Sequence, residues 1–112
     1  MKASTKKKLE SAGWRVGDAK EFLGLTEAEE QLVEMKLALA KVLRSARERH
    51  NLTQAELAKR VRSSQSRVAK MEAGDVSISL DLLMKTLFAA GAENRDVAKA
   101  VASPRRILAK SA

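Results

Sequence analysis

The chain has 112 residues, 45% of them hydrophobic and 32% charged, which is too apolar for a disordered chain and suits one domain with tails. It has no Cys and one His, so disulfides and thiolate metal sites are excluded, and we expect no metal, no cofactor and no enzymatic activity. A net charge of +8 favours a polyanionic partner, and the lack of a long apolar stretch predicts a cytoplasmic protein that does not enter a membrane.

The residue types available for a core predict an all-α fold. Only Trp14, Phe22 and Phe88 are aromatic, so a core must be built from Leu, Val, Met and Ala, most of which favour helices. One Pro and five Gly, with few β-branched runs, argue against a sheet with tight turns. Positive charge is concentrated in residues 41–72, which hold nine Lys and Arg against three Glu.

Residues 1–25 form a mixed N-terminal extension that we expect to be partly ordered. Asp18 can cap a short helix over residues 19–23, which a following glycine would close. Trp14 and Phe22 supply large apolar side chains. These side chains can pack on the chain's own next helix or form a surface for a protein partner, and both interpretations stay open.

A long first helix over residues 27–50 is predicted by both of its ends. Thr26 and Glu29 form a capping box, acidic residues occupy the first turn, and basic residues occupy the last turn. Its apolar residues form two stripes, and so wide a surface is expected to be buried, either beneath the N-terminal extension or in a dimer seam. The first stripe contains Leu32, Met35, Leu39, Val42 and Ala46, and the second contains Val33, Leu37 and Ala40.

Two short helices separated by a tight turn follow the long one. Thr53 and Glu56 form a second capping box that opens the first of the pair. Ser64 can cap the next helix, which Gly74 stops. The side chains expected to face the core are those of Leu57, Ala58, Val61, Val68 and Met71.

Two more helices complete a predicted set of five. The fourth covers residues 80–90, and the fifth covers residues 94–102 and stops before Pro104. Residues 103–112 are expected to form a basic tail, although their Ser-Pro-Arg-Arg start resembles short minor-groove-binding arms. The side chains expected to face inward are those of Leu82, Leu83, Leu87, Phe88, Val97, Ala98 and Val101.

One segment of the chain resembles a known family closely. Residues 52–74 read LTQAELAKRVRSSQSRVAKMEAG, which is similar to the helix-turn-helix of Cro and phage repressors, the xenobiotic-response-element family. The resemblance implies a five-helix, lambda-repressor-like DNA-binding domain over residues 26–102. In two turn positions the chain departs from the family, because Arg62 replaces the usual Gly and Ser63 replaces an apolar residue. A left-handed conformation at Arg62 would cost about 1 kcal/mol.

The resemblance also implies which side chains contact DNA. The helix that begins near Gln65 would enter the major groove, where Gln can bind adenine and Arg67 can bind guanine through paired hydrogen bonds. Gln54 resembles the family residue that touches phosphate and braces the recognition helix. The alternative is that these are only exposed helix residues. The expected DNA-binding residues are Thr53, Gln54, Ser64, Gln65, Ser66, Arg67 and Lys70, and Lys59, Arg60 and Arg62 are possible phosphate contacts.

Other polar residues near this segment are expected to be structural. Arg44, Arg47 and Arg49 suit the negative end of the first helix. Glu72 is expected to make a hydrogen bond at its own helix end, and His50 is expected to lie on the surface.

The leading functional hypothesis is a sequence-specific double-stranded DNA-binding regulator, a repressor that acts as a homodimer on a near-palindromic operator. The short N-terminal extension and the lack of a sensor domain resemble antitoxins of the higBA kind. That resemblance implies a RelE-like ribonuclease toxin as a partner, with Trp14 and Phe22 as candidate contacts. The alternatives are a stand-alone phage or plasmid regulator, and a protein-interaction module that keeps only the fold. A peripheral membrane protein is disfavoured because no amphipathic helix carries bulky aromatics.

Overall fold

The computed structural model describes Gly24 and residues 26–109, and within that part the chain has six helices and no strand. The predicted all-α fold is confirmed, and the first five helices begin where the sequence predicts. The predicted helix over residues 19–23 lies outside the described residues, as do Trp14 and Phe22. The helices are α1 (Glu27–Arg49), α2 (Gln54–Arg60), α3 (Gln65–Glu72), α4 (Leu80–Ala89), α5 (Asn94–Ala102) and α6 (Pro104–Ala109).

The chain divides into two compact units, Met1–Glu34 and Met35–Ala112, and the boundary lies inside α1. In the first unit the predicted capping box is present. The Thr26 N–H donates to Glu29 Oε1 at 3.0 Å, and the Glu29 N–H donates to Thr26 Oγ1 at 3.1 Å. The hydrogen bonds from the Thr26 N–H and hydroxyl hold the pKa of Glu29 below its usual value.

The two apolar stripes of α1 are buried to different extents. Leu32 in the first stripe is 43% exposed in the single chain, and its predicted cover, the N-terminal extension or a second copy, lies outside the described residues. Leu39 in the same stripe is buried, as are Val33 and Ala40 in the second stripe, whereas Leu37 is half-buried.

The second unit is built around one apolar core. Helix α1 contributes a row of buried residues that includes Leu39 and Leu43, and every helix from α2 to α5 adds at least one buried residue. The core positions predicted for the helix pair are confirmed except Val61, which is half-buried. The buried residues of the core are Ala38, Leu39, Leu43, Ala46, Leu57, Ala58, Val68, Met71, Ile78, Leu83, Leu87, Ala90, Ala92 and Ala100.

The predicted inward faces of α4 and α5 need correction. Phe88 is 47% exposed, Val101 is 46% exposed and Ala98 is exposed as well, although all three were predicted to face inward. On α4 the buried face passes through Leu87, and the adjacent Phe88 is turned away from it by the 100° step of a helix. On α5 the buried residue is Ala100, a small side chain that hydropathy alone does not single out.

Four helices end in the same way, with a residue in the left-handed conformation just past the last turn. In each, the next N–H bonds back to a carbonyl five residues earlier, as Ser63 does to Ala58 at 2.9 Å. This closure uses carbonyls that the helix leaves unsatisfied. The left-handed residues are Asn51, Arg62, Gly74 and Gly91, with φ of 56°, 54°, 78° and 97°.

Helix α6 was not predicted, because residues 103–112 were expected to form a tail. Helix α5 does stop before Pro104, but Pro104 then begins the next helix, where its missing N–H costs nothing. Ile107 packs against the core, and Lys41 Nζ donates to the Leu108 carbonyl at 3.4 Å. None of the helices α1 to α6 is long and apolar enough to cross a membrane.

Candidate nucleic-acid interface

Helices α2 and α3 form a compact pair that meets across a short turn. The Thr53 N–H donates to Glu56 Oε1 at 2.8 Å and the Glu56 N–H donates to Thr53 Oγ1 at 3.0 Å, so the predicted capping box opens α2. These bonds hold the pKa of Glu56 below its usual value. The small, buried Ala58 and the fully buried Val68 place the two helices on the core, and their remaining faces are left for solvent or a ligand.

The turn between the helices has the expected left-handed residue, with Arg62 at φ 54°. Ser64 then caps α3, because its Oγ accepts the Arg67 N–H at 3.2 Å. Ser64 Oγ also shares a hydrogen bond of 3.1 Å with Ser66 Oγ. The hydroxyl oxygen of Ser63 is buried and has no hydrogen-bond partner among the described residues. The turn is thus held by the Ser64 cap, whereas the unpaired Ser63 hydroxyl oxygen is unfavourable because it is buried.

The outer face of α3 is polar and exposed. Gln65, Ser66, Arg67 and Lys70 are exposed, whereas Val68 lies in the core. Within the described residues, the Gln65, Arg67 and Lys70 side chains make no hydrogen bond or ion pair, so their donors are available to a ligand. Three of the four lie in the first turn of the helix, as the sequence predicts for residues that contact base edges.

An open groove of about 420 Å³ runs beside this face. One wall consists of residues predicted to bind DNA, and the other belongs to the loop after α3 and to the first turn of α4. Ser77 and Ser79 in that loop were not predicted as site residues. The sequence contained a signal for them, because Ser79 is a typical helix-capping residue before α4 and the loop directly follows α3. The groove is lined by Ser64, Ser66, Arg67, Lys70, Ser77, Ile78, Ser79 and Leu82.

A buried ion pair fixes α3 against the two preceding helices. Arg47 of α1 donates to both oxygens of Glu72 on α3, at 2.5 and 2.9 Å, and to the Leu52 carbonyl at 2.9 Å. The side chains of Arg47 and Glu72 are only 13% and 5% exposed, and their hydrogen bond raises the pKa of Arg47. Gln54 Nε2 donates to Glu72 Oε1 at 3.2 Å, so α2 joins the same network.

This network corrects two expectations and supports a third. Arg47 does not serve only the end of α1, and Glu72 bonds across helices rather than at its own helix end. Gln54 does brace α3, through Glu72. The network was missed because Arg47 and Glu72 are 25 residues apart in sequence, and local patterns do not relate such positions.

The other basic residues considered as DNA contacts lie outside the groove. Arg60 donates to the Ala89 carbonyl at the end of α4, at 3.3 Å. Lys59 and Arg62 are exposed but do not line the groove. Thr53 and Gln65, which were also predicted to bind DNA, do not line it either.

The other basic side chains at the end of α1 form ion pairs with carboxylates of the same chain. Arg49 pairs with Asp96 at 3.4 Å, and Arg44 pairs with Glu48 at 3.5 Å one turn along the helix. His50 lies on the surface as expected, where its Nδ1 donates to the Ala46 carbonyl at 2.8 Å.

Comparison with known proteins supports the interpretation of this segment. Residues 43–85 match a family model described as helix-turn-helix, a span that runs from the second half of α1 into α4 and includes both walls of the groove. No curated protein and no solved structure matches the chain. The match therefore supports a helix-turn-helix of the xenobiotic-response-element type in residues 43–85, the type found in DNA-binding transcription regulators.

Proposed function

We propose that this protein is a sequence-specific regulator that represses transcription by inserting α3 into the major groove of its operator. The observation that carries the proposal is the exposed first turn of α3. Gln65 and Arg67 have no partner there among the described residues, while the Arg47–Glu72 pair fixes the helix behind them. Polar side chains held in place, with their donors free, suit the reading of base edges.

The two side chains offer different base contacts. Gln65 can donate to and accept from an adenine edge, and Arg67 can donate twice to a guanine edge. Each such pair contributes about 1–3 kcal/mol of discrimination against the wrong base. Ser66 and Lys70 lie beside them on the same face and extend the contact toward the phosphates.

Residues around α3 would hold the DNA backbone. Gln54 uses one amide N–H on Glu72 and retains a second, which suits a phosphate contact while it braces α3. Ser77 and Ser79 form the opposite wall of the groove, and their hydroxyls suit the same role. Lys59 and Arg62 are exposed and add positive charge.

The proposal includes a homodimer. One helix-turn-helix reads too few base pairs to be selective in a genome, whereas two copies combine the affinities of two half-sites. Phe88 on α4 and Val101 on α5 are large apolar side chains that stay nearly half exposed, so each is a candidate for a contact between copies. Sedimentation equilibrium of the full chain, with Phe88→Ser as a variant, measures this directly.

An antitoxin role is the more specific form of the proposal. The family match begins at residue 43, so the first sixteen residues of α1 and the whole N-terminal extension lie outside it. The exposed Leu32 and the acidic first turn of α1 belong to this additional part. A RelE-like ribonuclease is the partner proposed for it, and a stand-alone regulator without such a partner is the alternative.

A binding titration tests the main proposal. Duplexes selected from a random-sequence pool, and the DNA upstream of the protein's own gene, should bind at least 10³-fold more tightly than unselected duplex at moderate salt. Affinity for both kinds of duplex should fall steeply as salt rises, because phosphate contacts release counterions. Equal affinity for selected and random duplex would remove the basis for a sequence-specific regulator.

A further inference from the structure

Lys36 of α1 makes an unusual pair of contacts for a lysine. Its Nζ donates to the Val76 carbonyl at 3.0 Å and to the Ile78 carbonyl at 2.7 Å. Both acceptors lie in the loop between α3 and α4, some 40 residues away in sequence. The side chain is half-buried and its ammonium is held inside the domain instead of in solvent. Ordering a lysine in this way costs side-chain entropy, so the contact needs a structural or functional explanation.

Neighbouring residues attach the same loop to α1. Ile78 is 8% exposed and belongs to the core. At Gly74, where the loop begins, a Cβ atom would collide with the side chain of Leu37, the residue next to Lys36. The loop also closes on itself, because the Ser77 N–H donates to Asp75 Oδ1 at 2.9 Å. The inner side of the loop is therefore fixed to the middle of α1.

The outer side of the loop forms a wall of the groove beside the recognition helix. Ser77 and Ser79 line that wall, opposite Arg67 and Lys70. Lys36 is not among the groove residues. The Val76 and Ile78 carbonyl oxygens thus accept hydrogen bonds from the Lys36 ammonium. Because these partly negative oxygens are already paired, they would repel a phosphate on the outer side of the loop less.

We propose that Lys36 is a positioning residue for DNA binding, which holds the loop of Ser77 and Ser79 at the distance from α3 that a phosphate backbone requires. The inference rests on the proposed function, since it assigns the loop a ligand. It adds a second internal support for the interface: the Arg47–Glu72 pair positions the helix, and Lys36 positions the opposite wall.

The first experiment measures affinity for a duplex selected from a random pool. Lys36→Met removes all three ammonium donors but keeps an apolar stem of similar length, and we expect it to weaken binding about tenfold. Lys99→Met is the matched control, because it removes one charge from an exposed position on α5 and should change affinity little. Lys36→Arg keeps the charge and the donors and should recover most of the affinity.

The dependence on salt separates positioning from direct contact. A lysine that binds phosphate itself would reduce the slope of log affinity against log salt by about one when removed. Lys36→Met is expected to change the slope no more than Lys99→Met does. A loss of one unit that is specific to Lys36→Met would show a direct phosphate contact and overturn the positioning role.

A double-mutant cycle with Ser77 tests whether the effect passes through the loop. Ser77→Ala should weaken binding severalfold in the wild-type background and have almost no further effect in Lys36→Met, because the loop is already displaced. Independent, multiplicative losses would show that Lys36 does not act through Ser77 and would overturn the proposal.

Amide hydrogen exchange on the DNA-free protein provides a readout that does not depend on function. Lys36→Met should accelerate exchange at residues 76–79, while Val68 and Leu87 stay protected as reporters of the intact core. Unchanged exchange at residues 76–79 would overturn the inference even if DNA binding weakened. If wild-type protein shows no preference for selected DNA, the proposed function fails, and the DNA role of Lys36 fails with it even where exchange accelerates.

Discussion

Gln65 and Arg67 lie in the first turn of α3 with their side chains exposed, so their contribution should depend on the base sequence. We expect Arg67→Ala and Gln65→Ala to abolish the preference for particular base pairs at one position each, at a cost of about 1–3 kcal/mol for the preferred duplex. Competition binding against duplexes that carry every single base substitution measures this preference.

Lys59→Ala is the control for that experiment. Lys59 is exposed on α2 and outside the groove, so its removal should weaken binding to all duplexes about equally and reduce the salt slope by about one. If Arg67→Ala also weakened every duplex uniformly, Arg67 would be a phosphate contact and not a base contact.

Ser63 gives a prediction about stability. Its buried hydroxyl oxygen lacks a hydrogen-bond partner among the described residues, and a buried unpaired hydroxyl is destabilising. Ser63→Ala should therefore raise the free energy of unfolding by about 1 kcal/mol, measured by urea denaturation. Ser77→Ala, at an exposed loop position, should change it little. A lower stability for Ser63→Ala would mean that the hydroxyl is hydrogen-bonded in solution.

At the scale of the elements, the Arg47–Glu72 pair joins α1 to α3 and should contribute most of the rigidity of α3. Glu72→Gln leaves the Arg47 guanidinium largely buried without an anion, and we expect a loss of about 3 kcal/mol in the free energy of unfolding. Glu48→Gln breaks only the exposed pair with Arg44 and should have little effect.

A double variant shows whether charge or packing matters in this network. Replacing Arg47 and Glu72 together by Met should cost less than Glu72→Gln alone, because no buried charge is left unpaired. Urea denaturation of both variants provides the comparison. A double variant less stable than Glu72→Gln would show that the ion pair contributes more than it costs to desolvate.

The elements of this fold could be predicted to the extent that their signals are local. The capping boxes at Thr26 and Thr53 and the left-handed residue Arg62 depend on neighbours within a few positions, and all three are present. Contacts between distant positions, such as Lys36 with the loop after α3, could not be predicted, because one sequence contains no record of which segments meet. Helix α6 differs from the prediction for another reason, since a proline after a helix indicates its end but also suits the first position of a new helix.

In the candidate site, too, the features that depend on nearby residues could be predicted and those that depend on distant contacts could not. The exposed face of α3 follows from helical periodicity once Val68 and Met71 are placed in the core. Ser77 and Ser79 join the site only through the path of the loop, which Lys36 and the buried Ile78 determine.

At the scale of the whole molecule, the N-terminal extension is the part whose role is open to a direct test. We expect removal of residues 1–25 to abolish binding of the proposed toxin partner while thermal stability and DNA affinity are retained, because the helix-turn-helix match lies entirely in residues 43–85. Circular dichroism melting and a DNA-binding titration of the truncated chain, and its sedimentation with the toxin partner, measure the three properties.

The competing interpretation gives a different result in the same experiment. If Trp14 and Phe22 cover the apolar side of α1 around the buried Val33, the truncated chain should unfold at a much lower temperature. The substitution Trp14→Ala with Phe22→Ala in the full chain would then reproduce the loss of stability.

If α3 lies in the major groove as proposed, its length limits the number of base pairs that one copy of the protein can contact. Eight residues span about 12 Å, which corresponds to roughly four base pairs at 3.4 Å each. A given four-base-pair sequence occurs by chance about once in every 256 positions, while a genome offers on the order of 10⁶ or more competing sites. Two copies bound at a fixed spacing, as proposed, would lower that frequency to about one in 65,000 positions, so the choice of operator would depend on the distance between the two helices as well as on the bases that each one reads.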